Sequence, residues 1–403
     1  MNRATADVVV VGGGTVGAWC AYFLSQSSAK QSGVEHVVLV DAGTLGKGAS
    51  GRAAGMVRAQ GGTETAIRLG LFSRDFYRGQ AAELGIDSGF VSQGYYIPAF
   101  SEEEVTIGKA RVQLQQSLGV DVTWVGSEEF DAGNPAMAPG HTLGASYSPT
   151  DGYIDPPRNV LAYTAALFTH GVDVRERTAF TGLITEGGRV TGVRTTDGEI
   201  YTDRVVIAGG PQLQELGTML GARIWAAGAR HQVVVTEAHP DLAPSQLPMV
   251  FDLPSGIYWR PEEGGMMWGM SNPEEAPGVA TEFDWAYYEV MRARVAALVP
   301  ITKDLGLRRA WAATIDYTPD HLPILGPVIT DEGPIAGTTI ASAAGHGMMW
   351  GPGVSRAAAD LALTGTTELI DVTDLGIDRF DTEGRSRLAT DPIALPFPER
   401  TTA

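Results

Sequence analysis

The sequence predicts an α/β + β architecture, a parallel-sheet nucleotide fold interleaved with a second domain built on an antiparallel sheet, on three observations. Residues 7–20, DVVVVGGGTVGAWC, set four valines before a glycine turn and an apolar helix, and a second apolar run at 37–40 ends on Asp41. At 403 residues the chain is long for one core, since about 150 residues per domain is the usual size. Stretches at 231–237 and 256–271 read as strands, the second a hairpin turning at 261–264, which suits an antiparallel sheet.

The first unit is specific because each residue type has a physical reason. The valines suit a strand buried on both faces, and Gly12, Gly14 and Gly17 supply the G-x-G-x-x-G turn into a helix that begins at Thr15 and Val16. Gly12 permits the tight turn, Gly14 lets the backbone approach a pyrophosphate, and Gly17 lets the helix lie close on the strand. The helix N-terminus offers N–H groups to phosphate, while Asp41, followed by Ala42, is placed to accept from ribose hydroxyls. This is the Rossmann-type arrangement for a dinucleotide. A secretory signal or membrane anchor is the competing reading of the apolar stretch 8–24, and the glycine-rich packing, Arg3 and Asp7 argue against it.

Composition narrows the partners. The formal charge of −18 disfavours nucleic acid and acidic membranes, and no other segment approaches a spanning length. Cys20 is the single cysteine, which excludes an intrachain disulfide and a thiolate metal cluster and fits a reducing cytoplasm. The seven histidines include no H-E-x-x-H pair, and no metal site is expected.

After Asp41, residues 43–62 are too rich in glycine and small residues for a regular element, and too long for a plain connection. A nicotinamide enzyme proceeds directly to its next helix, whereas a flavin dinucleotide needs such a segment for its second phosphate, ribityl chain and ring. FAD is therefore favoured over NAD, with Ala49, Ser50, Arg52, Ala54, Gly55 and Met56 as its expected neighbours. Helices are predicted over 69–85, over 101–118 with the Ser101/Glu104 capping box, and over 155–171 behind Asp155 and two prolines. Residues 131–152 read as loop. Short strands with Gly-Gly and Asp-Gly turns follow to 210, and a last strand at 338–341 leads through a tight turn into a helix begun by Pro352.

The loop Gly48-Ala49-Ser50 with Gly55 resembles that of the glycine/D-amino-acid oxidase family of flavoproteins, in its sarcosine, dimethylglycine and proline dehydrogenase branch. The motifs W-A-A-T-I-D-Y-T-P-D at 311–320 and G-H-G…P-G from Gly345 carry the resemblance further, so that it covers nearly the whole chain. It implies an adenine contact at Phe180, a closing strand at Ala208 and Gly209, and a turn at Gly345, His346, Gly347, Met348 and Met349 facing the flavin pyrimidine. It also implies substrate residues at His231 and Tyr258, for which a structural histidine and a packed aromatic are the alternatives. Covalent members attach the flavin to a histidine where this chain has Arg52, so the FAD is expected to be non-covalent. An arginine that grips the carboxylate of primary amino acids is replaced here by Ile315. Arg58, Arg260, Tyr96 and Met349 are the remaining substrate-binding candidates, and Tyr258, Trp259, Met348 and Met349 the expected walls.

The resemblance implies oxidation of the C–N bond of a secondary, N-methylated or cyclic amine or amino acid by hydride transfer to flavin N5. Oxygen or another acceptor would then take the electrons. Catalytic roles fall to His231, Tyr258 and His346. A flavin-dependent 2-hydroxy-acid dehydrogenase, and a flavin subunit of a multi-subunit proline/hydroxyproline-type dehydrogenase, are the rival readings, and a homo- or hetero-oligomer stays open. Domain limits are expected at 1–88, 148–225 and 310–370 for the FAD-binding domain, at 89–147 and 226–309 for the substrate domain, and at 371–403 for a C-terminal extension.

Overall fold

A computed structural model describes residues 4–26, 33–242 and 247–393. The six-stranded sheet runs in the order Asp173–Arg175, Val37–Val40, Val8–Val11, Val205–Ile207, Thr338–Ser342, Ile324–Gly326. All its pairings are parallel except the last. Val8–Val11 is central and fully buried, as a valine run covered on both faces must be. Its neighbours lie on opposite sides, so the crevice beyond its C-terminal end is a topological switch point, where ligands bind in open α/β sheets. Helices Thr15–Ser25, Pro156–Thr169 and Gly351–Thr364 cover one face through a core that includes Trp19, Tyr163, Leu167 and Val354. A smaller sheet, from Phe180–Glu186, Arg189–Thr195, Gly198–Tyr201 and Ala4–Thr5, lies over the other.

An eight-stranded sheet forms the second layer system, in the order Leu307–Tyr317, Ala227–Thr236, Gly265–Ser271, Ile257–Glu262, Met249–Asp252, Tyr95–Ala99, Gly144–Ser148, Thr123–Gly126. Its pairings are antiparallel except that of Met249–Asp252 with Tyr95–Ala99. One face packs on helix Trp285–Leu298 through Trp259, Trp268 and Met291, and the other presents Tyr95, Phe251 and Tyr258. Trp259, expected at the substrate wall, is therefore core on the far face, as strand alternation with Tyr258 requires. The expected boundary at 309/310 falls inside the strand Leu307–Tyr317.

Local signals explain most element limits. Ser101 accepts from Glu104 N, and Asp155 from Arg158 N, each at the head of its helix. The helix expected from Leu69 begins at Glu64, capped by Thr63, and stops at Gly85 with φ +69°. The stretch 131–152 is not all loop, because it contains the end of helix Ser127–Gly133 and the strand Gly144–Ser148. Two of its glycines serve close packing: a Cβ on Gly133 would lie 2.3 Å from the Tyr96 hydroxyl, and one on Gly144 2.8 Å from Val125 O. Among the described residues no helix is long and apolar enough to cross a membrane, and no group of His, Cys, Asp or Glu is arranged to hold a metal ion. The segment 394–403 of the expected C-terminal extension lies outside the described residues.

Candidate active site

The glycine turn folds as its chemistry demands. Gly12 has φ +106°, and a Cβ there would lie 2.3 Å from Ala208 O; one on Gly17 would lie 1.9 Å from Gly12 O. Only glycine lets the strand, turn and helix close to that distance. Helix Thr15–Ser25 carries no side-chain cap at Gly14, so its positive end faces the crevice. The Asp41 carboxylate accepts from Gly13 N and Gly43 N, both at 2.6 Å, and Ser50 Oγ accepts from Thr15 N at 2.9 Å, tying the small-residue loop to the helix head.

A cavity of about 690 Å³ runs from this cradle to the face of the eight-stranded sheet. Gly12, Gly14, Thr15, Val16, Asp41, Ala42, Ala49, Ser50, Arg52, Ala54, Gly55, Met56, Ala208 and Gly209 line it, as do residues 345–349. Its volume lies near the middle of the range for small-molecule sites. Backbone N–H groups at one end and apolar and aromatic side chains at the other fit a dinucleotide carrying a planar ring. Gly17 and Phe180 are not among the walls. Gly17 acts through packing, and the Phe180 ring is buried in the core of the small sheet. The segment before Phe180 meets the acid loop instead, through Thr178 N to Asp41 O at 2.8 Å.

His231, Tyr258 and Arg58 converge on the far part of the cavity. Cross-strand pairing sets His231 opposite Ser271 and Tyr258 opposite Gly269. His231 Nε2 is 2.5 Å from Tyr258 Oη, and Nδ1 is 2.8 Å from Ser271 Oγ, with the two rings nearly parallel at 7°. A Cβ on Gly269 would lie 2.2 Å from Tyr258 Oη and 3.0 Å from His231 Nε2, so the pair needs a glycine there. Burial lowers the His231 pKa to about 4 and raises that of Tyr258, so both groups are neutral near pH 7. Tyr258 as donor to Nε2 puts the imidazole hydrogen on Nδ1, toward Ser271; the other tautomer frees the phenol proton for the cavity.

His346 sits on a turn held by Ala344 at φ +48° and Gly345 at φ +83°. Its Nδ1 is 2.8 Å from Ala344 O, a carbonyl that can only accept, so the ring proton lies on Nδ1 and Nε2 is a free acceptor. Burial, then the Arg58 charge, lowers its pKa to about 3. Arg58 is itself buried. Its Nη1 donates to Gln60 O and its Nη2 to Ile393 O at 3.0 Å, while Nε has no hydrogen-bond partner. It does not pair with Glu64, which takes Arg68.

Two expected substrate residues lie elsewhere. Tyr96 points to the opposite face of its strand, stacked on Tyr147 at 4.5 Å and against Phe130 at 5.0 Å; its neighbour Tyr95 lines the cavity instead. Arg260 lies 4.2 Å over the Tyr153 ring, paired with Glu262 at 2.5 Å and donating to Ala54 O, outside the walls. It braces the small-residue loop from behind. Phe251 and Asp316 line the cavity without having been expected. Asp316 Oδ2 accepts from Ser342 Oγ at 2.5 Å, and its acid beside Ile315 was a signal in the sequence.

A family model described as FAD dependent oxidoreductase, DAO, matches residues 7–361. The 4-methylaminobutanoate oxidase (formaldehyde-forming) of Paenarthrobacter nicotinovorans is 27% identical over 390 residues, which cover 94% of this chain and 46% of that protein. The chain thus spans under half the length of that relative. The sarcosine oxidase subunit beta of Rhodobacter capsulatus is 26% identical over 379 residues, 93% of this chain and 88% of that one. The crystal structure of L-proline dehydrogenase from P. horikoshii superposes with a TM-score of 0.84 at 26% identity, over 94% of this chain and 98% of that one. With the glycine cradle, the acid loop and the cavity between two sheets, this match means that the chain belongs to the DAO family of FAD-dependent oxidoreductases.

Proposed function

We propose that this chain oxidises the C–N bond of a secondary, N-methylated or cyclic amino acid or amine, with non-covalently held FAD as its cofactor. The observation that carries the reading is the convergence of the neutral His231–Tyr258 pair and the Arg58 side chain on one cavity that continues into the glycine cradle. Bound FAD supplies the hydride acceptor. The chain's part is to make the substrate nitrogen a free amine and to fix the α-carbon. Burial disfavours an ammonium for the same reason that it disfavours an imidazolium, so the substrate sheds its proton on entry. Tyr258 Oη relays that proton to His231 Nε2 while Nδ1 donates to Ser271 Oγ, and because burial disfavours the imidazolium too, the proton does not rest there but passes on to solvent. The Arg58 guanidinium, at the cavity wall, supplies the positive charge that holds a carboxylate. Ile315, in place of a longer cation, leaves room for a substituted nitrogen.

The related proteins named above act, by their names, on a methylamino acid, on sarcosine and on proline, all secondary amines. Anaerobic bleaching of the flavin absorbance tests the reading. L-Proline, N-methylated amino acids or their kin are expected to bleach it, and bleaching by 2-hydroxy acids alone would refute it. A second reading, that this chain works as one subunit of a larger assembly, is favoured by its near full-length match to a subunit beta. The native mass of the protein from its own cells tests that, and a bare monomer with full turnover contradicts it.

A further inference from the structure

We infer that residues 391–393 support the substrate site from behind, holding the Arg58 guanidinium in the orientation in which it lines the cavity and meets a carboxylate. The inference rests on the reading of Arg58 as the carboxylate anchor. Arg58 Nη2 donates to Ile393 O at 3.0 Å, a contact between residues 335 positions apart, and Gln60 O takes Nη1. These two carbonyls lock the plane of the guanidinium. Without Ile393 O, the guanidinium keeps Gln60 O, the Tyr95 hydroxyl and the Phe251 ring, but Nη2 loses its acceptor and with it one of the bonds that fix its direction. The Ile393 side chain is 2% exposed and packs in the cluster of Tyr95, Phe251 and Tyr258, three residues of the cavity wall.

Residues 391–393 are fastened by two outside bonds and one of their own. Asp391 N donates to Asp320 O at 3.1 Å, Asp391 Oδ1 accepts from Ile393 N at 2.8 Å, and Oδ2 takes the Thr63 hydroxyl at 3.5 Å. Asp320 is in turn clamped by the buried Arg379 at 2.7 and 3.0 Å. Gly62 completes the fit: a Cβ there would lie 2.3 Å from Asp391 Oδ1 and 2.6 Å from Pro392 Cδ, so any larger residue displaces the segment. The loop that carries Arg58 and the segment that orients it are therefore matched to each other. Asp391 and Ile393 are positioning residues, acting through Arg58.

Titration of the FAD-loaded full chain with benzoate and with benzamide, its uncharged isostere, tests this through the flavin spectrum. Gly62→Ala and Asp391→Ala are expected to raise the benzoate Kd by about fivefold or more, with benzamide changed by less than about twofold. Asp391→Asn keeps the Oδ1 acceptor for Ile393 N and is expected to stay within about twofold of wild type for both. Unchanged benzoate binding in Gly62→Ala and Asp391→Ala overturns the inference, as does equal loss of both ligands. Asp391→Asn falling with Asp391→Ala also overturns it, since charge rather than orientation would then be acting. Arg58→Met, run in parallel, separates the two levels. If it weakens benzoate by about tenfold while the other variants do nothing, only this inference fails. If the wild type does not bind benzoate, or Arg58→Met leaves its Kd unchanged, the reading of Arg58 itself falls.

Discussion

Gly269→Ala is a one-methyl perturbation placed where the structure leaves no room for it. The new Cβ would sit 2.2 Å from Tyr258 Oη, 2.5 Å from Cζ and 3.0 Å from His231 Nε2. Gly269 is not among the residues with positive φ, so alanine is acceptable to the backbone and the clash is purely between side chains. Tyr258 is walled by Tyr95, Phe251, Met267 and Ile393, and its open side is the cavity. The ring therefore swings that way, breaking the 2.5 Å bond and leaving a buried imidazole nitrogen unpaired. That costs about 1–3 kcal/mol, or roughly 5- to 150-fold in flavin reduction if the bond is used in the transition state. Stopped-flow reduction under anaerobic conditions measures it, with FAD content as the control for folding. A variant that keeps its FAD and reduces at the wild-type rate would refute the reasoning, since the pair would then have been broken without consequence.

Further outcomes follow from the same geometry. His231 and His346 are buried as neutral imidazoles, at about 4 and about 3 against an ordinary 6.5. The unfolded chain takes up those protons first, so their contribution to stability is complete above about pH 6.5 and is lost as pH falls through about 4. The buried carboxyls of Asp151, Asp316 and Asp391, raised by burial, run the other way and gain stability as pH falls through their raised values. His231→Asn should therefore flatten the acid arm of a stability–pH curve relative to wild type by on the order of 3 kcal/mol, and parallel curves would contradict it. Arg379→Met leaves Asp320 as an unpaired buried charge and should cost roughly 3–5 kcal/mol in urea unfolding; a change under about 1 kcal/mol would mean that solvent reaches the site. Acid precipitation should release all the flavin colour to the supernatant, because Cys20 is buried in the first helix with its thiol pKa raised and Arg52 stands where covalent relatives carry histidine.

The nucleotide half was legible because steric demand writes itself into local sequence. A strand buried on both faces must be apolar throughout, and contacts of 2 Å at a Cβ position admit only glycine, so Val8–Val11, Gly12 and Gly17 could be read without a partner in view. The substrate half depends on which face of a strand looks inward. Tyr95 and Tyr96 are equally aromatic, and choosing between them requires knowing that their strand pairs in parallel with Met249–Asp252, a contact about 150 positions away with no local signal. Arg260 shares the face of Tyr258 but is satisfied by Glu262, Ala54 O and the Tyr153 ring, partners that only the closed fold supplies. The grip of residues 391–393 on Arg58 was illegible for the same reason. The Ser271 partner of His231 lay forty residues off and becomes evident once the strand register is known.

Single-turnover anaerobic reduction of the flavin by L-proline or an N-methylated amino acid, compared between wild type and His231→Asn, tests the central claim most directly. The account predicts that the variant retains its FAD and reduces it about 10²- to 10⁴-fold more slowly at saturating substrate, the range for loss of a positioned proton acceptor. Reduction of the variant at the wild-type rate, across the pH range in which the protein is folded, would contradict it.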